Sequence, residues 1–162
     1  MSRRKGTKPE QYAGPFQEYS SVPQRYCLKT YAGHYTGEET WKQYCEQVLF
    51  GQYDSDYIRR SARRAGSSWK DHMASQGRHH ALATPNDVDE WCRLLLDGGR
   101  NRRTCYENYY VRIYNFYEHL KRNCQHPHLY NPLLMAAIEY DVTRRVWMYR
   151  IDARPEVTER DE

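Results

Sequence analysis

The chain of 162 residues suits one compact domain with a single core. Its apolar fraction of 39% and mean hydropathy of -1.07 exclude a core built mainly on aliphatic residues, so burial must rely on aromatic side chains, among them 16 tyrosines. The net charge of +4 is uneven: residues 1–80 hold 13 Lys and Arg against 8 Asp and Glu, a net +5, whereas residues 81–162 hold 12 against 13, a net -1. The basic half favours a polyanionic partner, although modest excess charge also serves solubility alone.

The cysteine pattern and the apolar runs predict a cytoplasmic protein. Five cysteines occur without a C-x-x-C pair, and an odd number fits a closed disulfide framework poorly. The basic start MSRRKGTKPE has no apolar region behind it, so it does not resemble a secretory signal. The longest apolar run, Leu133 to Ile138, is too short to cross a bilayer.

The residues before Asp56 divide into two predicted parts. Residues 1–35 mix basic residues, Gly, Pro and Tyr without periodicity, which predicts a mostly irregular basic arm that lacks order without a partner. Residues 36–55 predict an accessory helix, because Thr36 and Glu39 have capping-box spacing before a run with helical periodicity. We expect this helix over about 37–50, with Gly51 and the polar run after it ending it.

A second helix is predicted from near Asp56, and it carries the first candidate site. Its apolar stripe has helical spacing: Ile58, Ala62, Ala65, Trp69 and Met73. Five cations fall outside the stripe: Arg59, Arg60, Arg63, Arg64 and Lys70. With only Asp71 nearby to offset them, they indicate DNA phosphate contacts; the alternative is a solvated helix face. Gly66-Ser67-Ser68 is a point where this helix is expected to bend or break.

Two further helices follow, and the turn between them is the second candidate site. Thr84-Pro85 predicts an N-cap followed by Pro at the first helical position, and Gly98-Gly99 ends that helix. Thr104 and Glu107 have capping-box spacing and predict the start of a long aromatic helix in the middle of a bundle. The turn before it predicts a phosphate contact, rather than a merely exposed loop, through Arg100, Arg102, Arg103 and Thr104.

The last predicted helix starts at Asn131-Pro132, by the same N-cap and proline logic. Within residues 141–162, the stretch VTRRVWMYRI fits a short strand or an irregular extension, and the acidic end EVTERDE fits a mobile tail. The residues HPHLYNP, 126–132, are therefore interpreted first as a connection between helices.

Signals for metal binding and catalysis are weak. Cys124, His126 and His128 form C-x-H-x-H, but no fourth ligand follows at a familiar zinc spacing, so we predict no metal and no cofactor. His119 and Arg122 form H-x-x-R, the pattern that strand-exchange enzymes use on a phosphate, but near the end of an amphipathic helix a solvent-facing, cationic last turn explains it better. P-loop, Rossmann and nucleophile-elbow patterns are absent from the sequence.

Four stretches together resemble the N-terminal SAM-like, or core-binding, domain of tyrosine recombinases of the phage integrase family. They are SSWKDHMASQG, TPNDVDEWCRLLLDGG, NRRTCYENYYVRIYNFYEHLKR and HPHLYNPLLMAAIE. The resemblance covers residues 57–139, and the sequence from Tyr114 to Pro132 looks most like that of archaeal members. It implies an all-α, four-helix bundle over residues 56–140 that grips one side of the DNA. Because only about two dozen residues follow this bundle, we expect a protein without the family's separate catalytic domain.

The leading hypothesis is therefore a non-enzymatic protein that binds double-stranded DNA mainly through phosphates. It would be an accessory or regulatory factor of a mobile element or virus, with a recombinase or another protein as a further partner. The first alternative is a protein–protein adaptor that docks through an aromatic surface. The second is an enzyme that uses Tyr140 or Tyr149 as a nucleophile with help from a partner chain.

Overall fold

The computed structural model describes residues 6–53 and 55–152, and these residues form helices and turns with no β-strand among them. We number six helices: α1 consists of Thr40–Tyr44, the π-helical turn Cys45–Leu49 and Phe50–Gln52; α2 is Asp56–Ser75; α3 is Pro85–Asp97; α4 consists of Arg102–Thr104, the π-helical stretch Cys105–Tyr110 and Val111–Arg122; α5 is Pro132–Glu139; and α6 is Asp141–Asp152. The predicted all-α class is confirmed.

Helix α1 forms, but not with the predicted cap. The Thr36 hydroxyl donates to the carbonyl of Ala32, and the residue before the helix, Glu39, makes no side-chain capping bond. The helix passes through Gly51 and ends at Gln52, within the polar run that was expected to end it. Capping-box spacing alone is thus a poor guide when the Thr side chain has a local carbonyl within reach.

Helix α2 runs without interruption through the predicted weak point at Gly66. A Cβ added at Gly66 would overlap the indole of Trp41, so the absence of a side chain lets α1 and α2 approach closely. The predicted stripe is buried at Ala62, Ala65, Trp69 and Met73 and partly buried at Ile58. The glycine therefore serves packing and does not bend the helix.

The caps of α3 and α4 differ in how well they were predicted. Thr84 caps α3 as expected, accepting from the Asp87 N–H at 3.3 Å while Asp87 accepts from the Thr84 N–H at 2.9 Å. Helix α4 instead begins at Arg102, because the Asn101 side chain accepts from the Thr104 N–H at 2.8 Å. The predicted N-cap role of Thr104 is wrong, since Thr104 already lies in the first turn.

The end of the described chain is helical, which corrects both predictions for residues 142–151. Asn131 caps α5 as expected, accepting from the Leu133 N–H at 2.9 Å. Helix α6 follows almost directly and buries Val146 and Trp147. The mixed pattern of VTRRVWMYRI misled the prediction because charged residues flank a narrow buried stripe. The predicted acidic tail lies outside the described residues.

Residues 6–35, the N-terminal segment, are packed against the bundle rather than irregular and unordered. They form 3-10 turns at Pro9–Tyr12, Tyr19–Ser21, Gln24–Tyr26 and Leu28–Tyr31 and a helical turn at Ala32–Tyr35. Leu28 is 1% exposed, and its N–H donates to the Tyr130 hydroxyl at 2.9 Å. Arg144 in α6 pairs with Glu10 at 2.9 Å. Single anchors at irregular spacing hold this segment, so periodicity could not reveal it.

Helix α4 is the centre of the molecule and contacts each of the other five helices, as its wide aromatic stripe predicts. Phe116 and Tyr117 on α4 are fully buried, and Trp69 of α2 packs edge-on against Trp91 of α3, with ring centroids 4.9 Å apart. In the described part of the chain, no helix has both the length and the apolar character that a membrane span requires.

Candidate nucleic-acid interface

Three arginines of α2 form what we call the α2 arginine face: Arg60, Arg63 and Arg64. All three are exposed. At 100° per residue, Arg60 and Arg64 point about 160° away from buried Ala62, and Arg63 about 100° away. Within residues 6–53 and 55–152, none of the three is in an ion pair with a carboxylate. Their guanidiniums are therefore available to an external anion.

The other two predicted cations of α2 are engaged with α1 and the residue before it. The Arg59 guanidinium lies over the Phe50 ring, 4.6 Å from its centroid. The Lys70 ammonium is 3.8 Å from Glu39. Both side chains lie at the edge of α2 that faces α1, so they belong to the margin of the α2 arginine face.

The predicted phosphate site in the turn before α4 is largely occupied by the protein's own acids. Arg102 lies 2.8 Å from Asp152 of α6, and Arg103 lies 3.1 Å from Glu107 one turn later. Arg100 is exposed and stacks over the Tyr109 ring, 5.0 Å from its centroid. The Thr104 N–H already donates to the Asn101 side chain. The N-terminus of α4 therefore has fewer free N–H groups for binding an anion than the sequence suggested.

The turn before α4 is nevertheless connected to α2 through the rings of Trp91 and Tyr109. The Trp91 indole N–H donates to the Ser68 hydroxyl at 3.0 Å, the Trp91 and Tyr109 rings lie 6.4 Å apart, and Arg100 covers Tyr109. Ser68 is one helical turn beyond Arg64. Arg100 is thus connected to Ser68 of α2 through two aromatic rings, whereas the Arg102 and Arg103 side chains are turned toward carboxylates.

One basic residue that the sequence analysis missed is Arg112 on α4. Its Nε is buried and has no hydrogen-bond partner within the described residues. Burial lowers the pKa of Arg112, while nearby Tyr57, Tyr44 and Cys45 act in the opposite direction. Arg112 sits inside an aromatic stretch of sequence, where it resembled one more solvent-facing residue. Only the packing of α1 and the start of α2 against α4 shows its unusual environment.

The two histidines of the C-x-H-x-H pattern lie in the connection between α4 and α5 and pack against the N-terminal segment and the loop before α3. The His126 Nδ1 is 2.6 Å from the Tyr35 hydroxyl, and the His128 Nε2 is 2.7 Å from the Ala81 carbonyl. Cys124 is exposed. Among the described residues, no group of three or more His, Cys, Asp or Glu is arranged to hold a metal ion. Tyr130 packs inward as expected, but Leu129 is 47% exposed, which corrects the prediction that it packs onto the helices.

The candidate catalytic residues lie in different surroundings. His119 and Arg122 are in the last turn of α4, with the His119 ring 5.3 Å from that of Tyr44. The Tyr149 hydroxyl donates to Glu107 at 3.3 Å. Burial raises the pKa of Tyr140, and Glu139 adds to the shift, which disfavours the phenolate that a nucleophile requires.

No family model, curated protein or solved structure matches this chain. The resemblance to the recombinase core-binding domain therefore stays a prediction based on the quoted motifs.

Proposed function

We propose that this protein is a non-catalytic double-stranded DNA-binding protein, related to the core-binding domain of tyrosine recombinases, that grips the duplex through the α2 arginine face. The observation that carries the proposal is the exposure of Arg60, Arg63 and Arg64 without carboxylate partners in the described part of the chain. Four successive helices, α2 to α5, cover the residues that carry the sequence resemblance, which supports the proposed relationship. A role as an accessory factor of an archaeal virus or mobile element fits a DNA-gripping bundle of this kind.

Phosphate contact explains why these arginines are left unpaired on the surface. Duplex DNA carries one negative charge for about every 1.7 Å of its axis, so a row of arginines along one helix meets several phosphates at once. Arg100 in the turn before α4 adds another exposed guanidinium. The ion pairs of Arg102 and Arg103 are solvent-exposed and contribute little to stability, so a phosphate can compete for these guanidiniums as the duplex approaches.

Replacing Arg60 and Arg64 by glutamine (R60Q/R64Q) tests the proposal directly. Each lost phosphate contact should weaken duplex binding roughly tenfold near 0.1 M salt, giving about a 50-fold or greater loss for the pair. The loss should be similar for unrelated duplex sequences, because phosphates carry no sequence information. Fluorescence anisotropy with two labelled duplexes measures it.

A charge-matched control is available in the N-terminal segment. Arg25 and Lys29 are exposed and lie outside α2, so R25Q/K29Q removes the same charge and should change duplex affinity only about twofold. Equal losses in the two double variants would show that net charge alone governs binding. Unchanged affinity in R60Q/R64Q would contradict the proposed interface.

The adaptor alternative makes a distinguishable prediction. An adaptor surface needs contiguous exposed apolar area, and the large hydrophobic residues exposed in the described part of the chain are Tyr53, Tyr57, Leu94 and Leu129. Partner capture that withstands high salt and nuclease, and that L94D and L129D abolish while R60Q/R64Q does not, would favour the adaptor.

A further inference from the structure

A second polar surface lies on the α1 side of α4, away from the groups used in the proposed duplex interface. It is a groove of about 630 Å³ between α1 and the C-terminal half of α4, closed at one side by Tyr12 and Arg150. We call it the α1–α4 groove. Its volume is within the range of about 300–1,000 Å³ that is typical of ligand sites. The groove also holds His119 and Arg122, the pair that the sequence singled out.

The groove carries two guanidiniums without carboxylate partners in the described residues. Arg122 is exposed at the end of α4. Arg150 is held by rings instead of acids, 5.0 Å from the centroid of Tyr12 and 5.1 Å from that of Trp147. The carboxylate that lines the groove, Glu118, is 3.5 Å from the Lys121 ammonium and 3.5 Å from the Asn131 amide. The unbalanced charge of the groove is therefore positive, which favours an anionic ligand.

The groove also has an aromatic platform and free amides. Tyr53, the residue after α1, lines it and is 54% exposed, so its ring is accessible to a ligand. The side chains of Gln52 and Asn115 line the groove as well, and both residues are exposed. In the described part of the chain, no hydrogen bond of either amide to a side chain is present. An exposed ring, two amides and two guanidiniums match an aromatic base, its polar edge and its phosphates, respectively.

We propose that the α1–α4 groove binds an unpaired nucleotide, stacking its base on Tyr53 and holding its phosphates with Arg122 and Arg150. The nucleotide is either part of a single strand or free in solution, since the recognising groups are the same for both. The inference goes beyond the proposed function, because the groove shares no residue with the α2 arginine face. Single-strand binding would stand even if duplex binding failed.

The test compares Tyr53→Ala and Arg122→Gln with the wild-type protein, using a labelled single strand of about eight thymidines. Each variant should weaken binding of this probe about tenfold while leaving duplex affinity unchanged. Tyr53 and Arg122 are exposed, and thermal unfolding will confirm that both variants keep the fold. A single strand carrying 5-iodouracil should cross-link to Tyr53 under ultraviolet light.

Matched controls locate the site. Tyr57 is 60% exposed but does not line the groove, so Tyr57→Ala should bind the thymidine strand normally, as should Arg25→Gln. The proposed nucleotide site is contradicted if Tyr57→Ala loses as much affinity as Tyr53→Ala, or if both groove variants bind the strand normally. It is also contradicted if the wild-type protein binds neither the strand nor thymidine monophosphate. Monophosphate bound as tightly as the strand would assign the groove to free nucleotides; much weaker binding assigns it to a strand.

Discussion

Gly66 shows how one missing side chain sets the distance between two helices. It lies in the middle of α2, where glycine costs about 1 kcal/mol relative to alanine. The Trp41 ring of α1 occupies the space in which a Cβ would stand, and Trp41 is 5% exposed. The backbone N–H of Trp41 also donates to the His80 Nε2 at 3.0 Å. The helix propensity lost at Gly66 is therefore offset by packing.

Gly66→Ala should destabilise the protein by about 1–3 kcal/mol, because overpacking at a buried ring outweighs the gain in helix propensity. Gly51 in α1 is the matched control, since a Cβ there meets no atom within 4 Å; Gly51→Ala should be neutral or slightly stabilising. Urea unfolding of both variants measures the difference. A Gly66→Ala protein with the same free energy of unfolding as the wild type would contradict the close approach of α1 and α2.

Two buried histidines make stability depend on pH. Burial lowers the pKa of His80 to about 3 and that of His128 to about 4, from an ordinary value of 6.5. The His80 Nε2 accepts the Trp41 N–H, and the His128 Nδ1 is buried without a partner in the described residues. Neither ring can take a second proton without losing a bond or burying an unpaired donor.

Stability should therefore fall as the pH drops from about 6.5 to about 4. In this window the unfolded chain binds protons at these histidines while the folded protein does not, which costs up to about 1.4 kcal/mol per pH unit for each histidine. Above pH 6.5 both rings are neutral in both states, so their contribution is fully present. His128→Gln should flatten the dependence, whereas exposed His34→Gln should not. The free energy of unfolding can be measured with urea at pH 7 and at pH 5. The same decrease in wild type and in His128→Gln would contradict this explanation.

At the scale of single elements, the sequence predicted two kinds of helix correctly. They are the helices with a wide apolar stripe and those capped by the residue directly before the first turn. Thr84 and Asn131 cap α3 and α5 as their positions indicated. Helix α6 was missed because its buried stripe is narrow, and the α4 cap was misplaced because Asn101 competes with Thr104. Local sequence patterns do not show which of two nearby polar residues, here three positions apart, will cap the helix.

The candidate site was predictable in part, for a related reason. The exposure of Arg60, Arg63 and Arg64 follows from helical periodicity alone. The partners of Arg102 and Lys70 do not, because Asp152 and Glu39 lie on other segments. Nor could periodicity reveal the α1–α4 groove, which is lined by residues far apart in sequence, such as Tyr53 and Arg122.

At the scale of the whole molecule, the packing sorts the cations into two groups. One group is paired with acids, such as Arg144 with Glu10 between α6 and the N-terminal segment, and holds the fold together. The other group has no carboxylate partner in the described residues and includes the α2 arginine face, Arg100, and Arg122 and Arg150 of the α1–α4 groove. A protein selected only for solubility has no need to concentrate unpaired arginines in this way.

The dependence of duplex affinity on salt tests this account most directly. Three or four phosphate contacts predict that log K falls with log salt concentration at a slope of about -3 for the wild-type protein. Removing all three arginines of the face (R60Q/R63Q/R64Q) should make the slope shallower, between about -1 and 0, because each contact contributes about -0.9. A flat dependence in the wild-type protein, or the same steep slope in the triple variant, would contradict the assignment of the α2 arginine face to DNA.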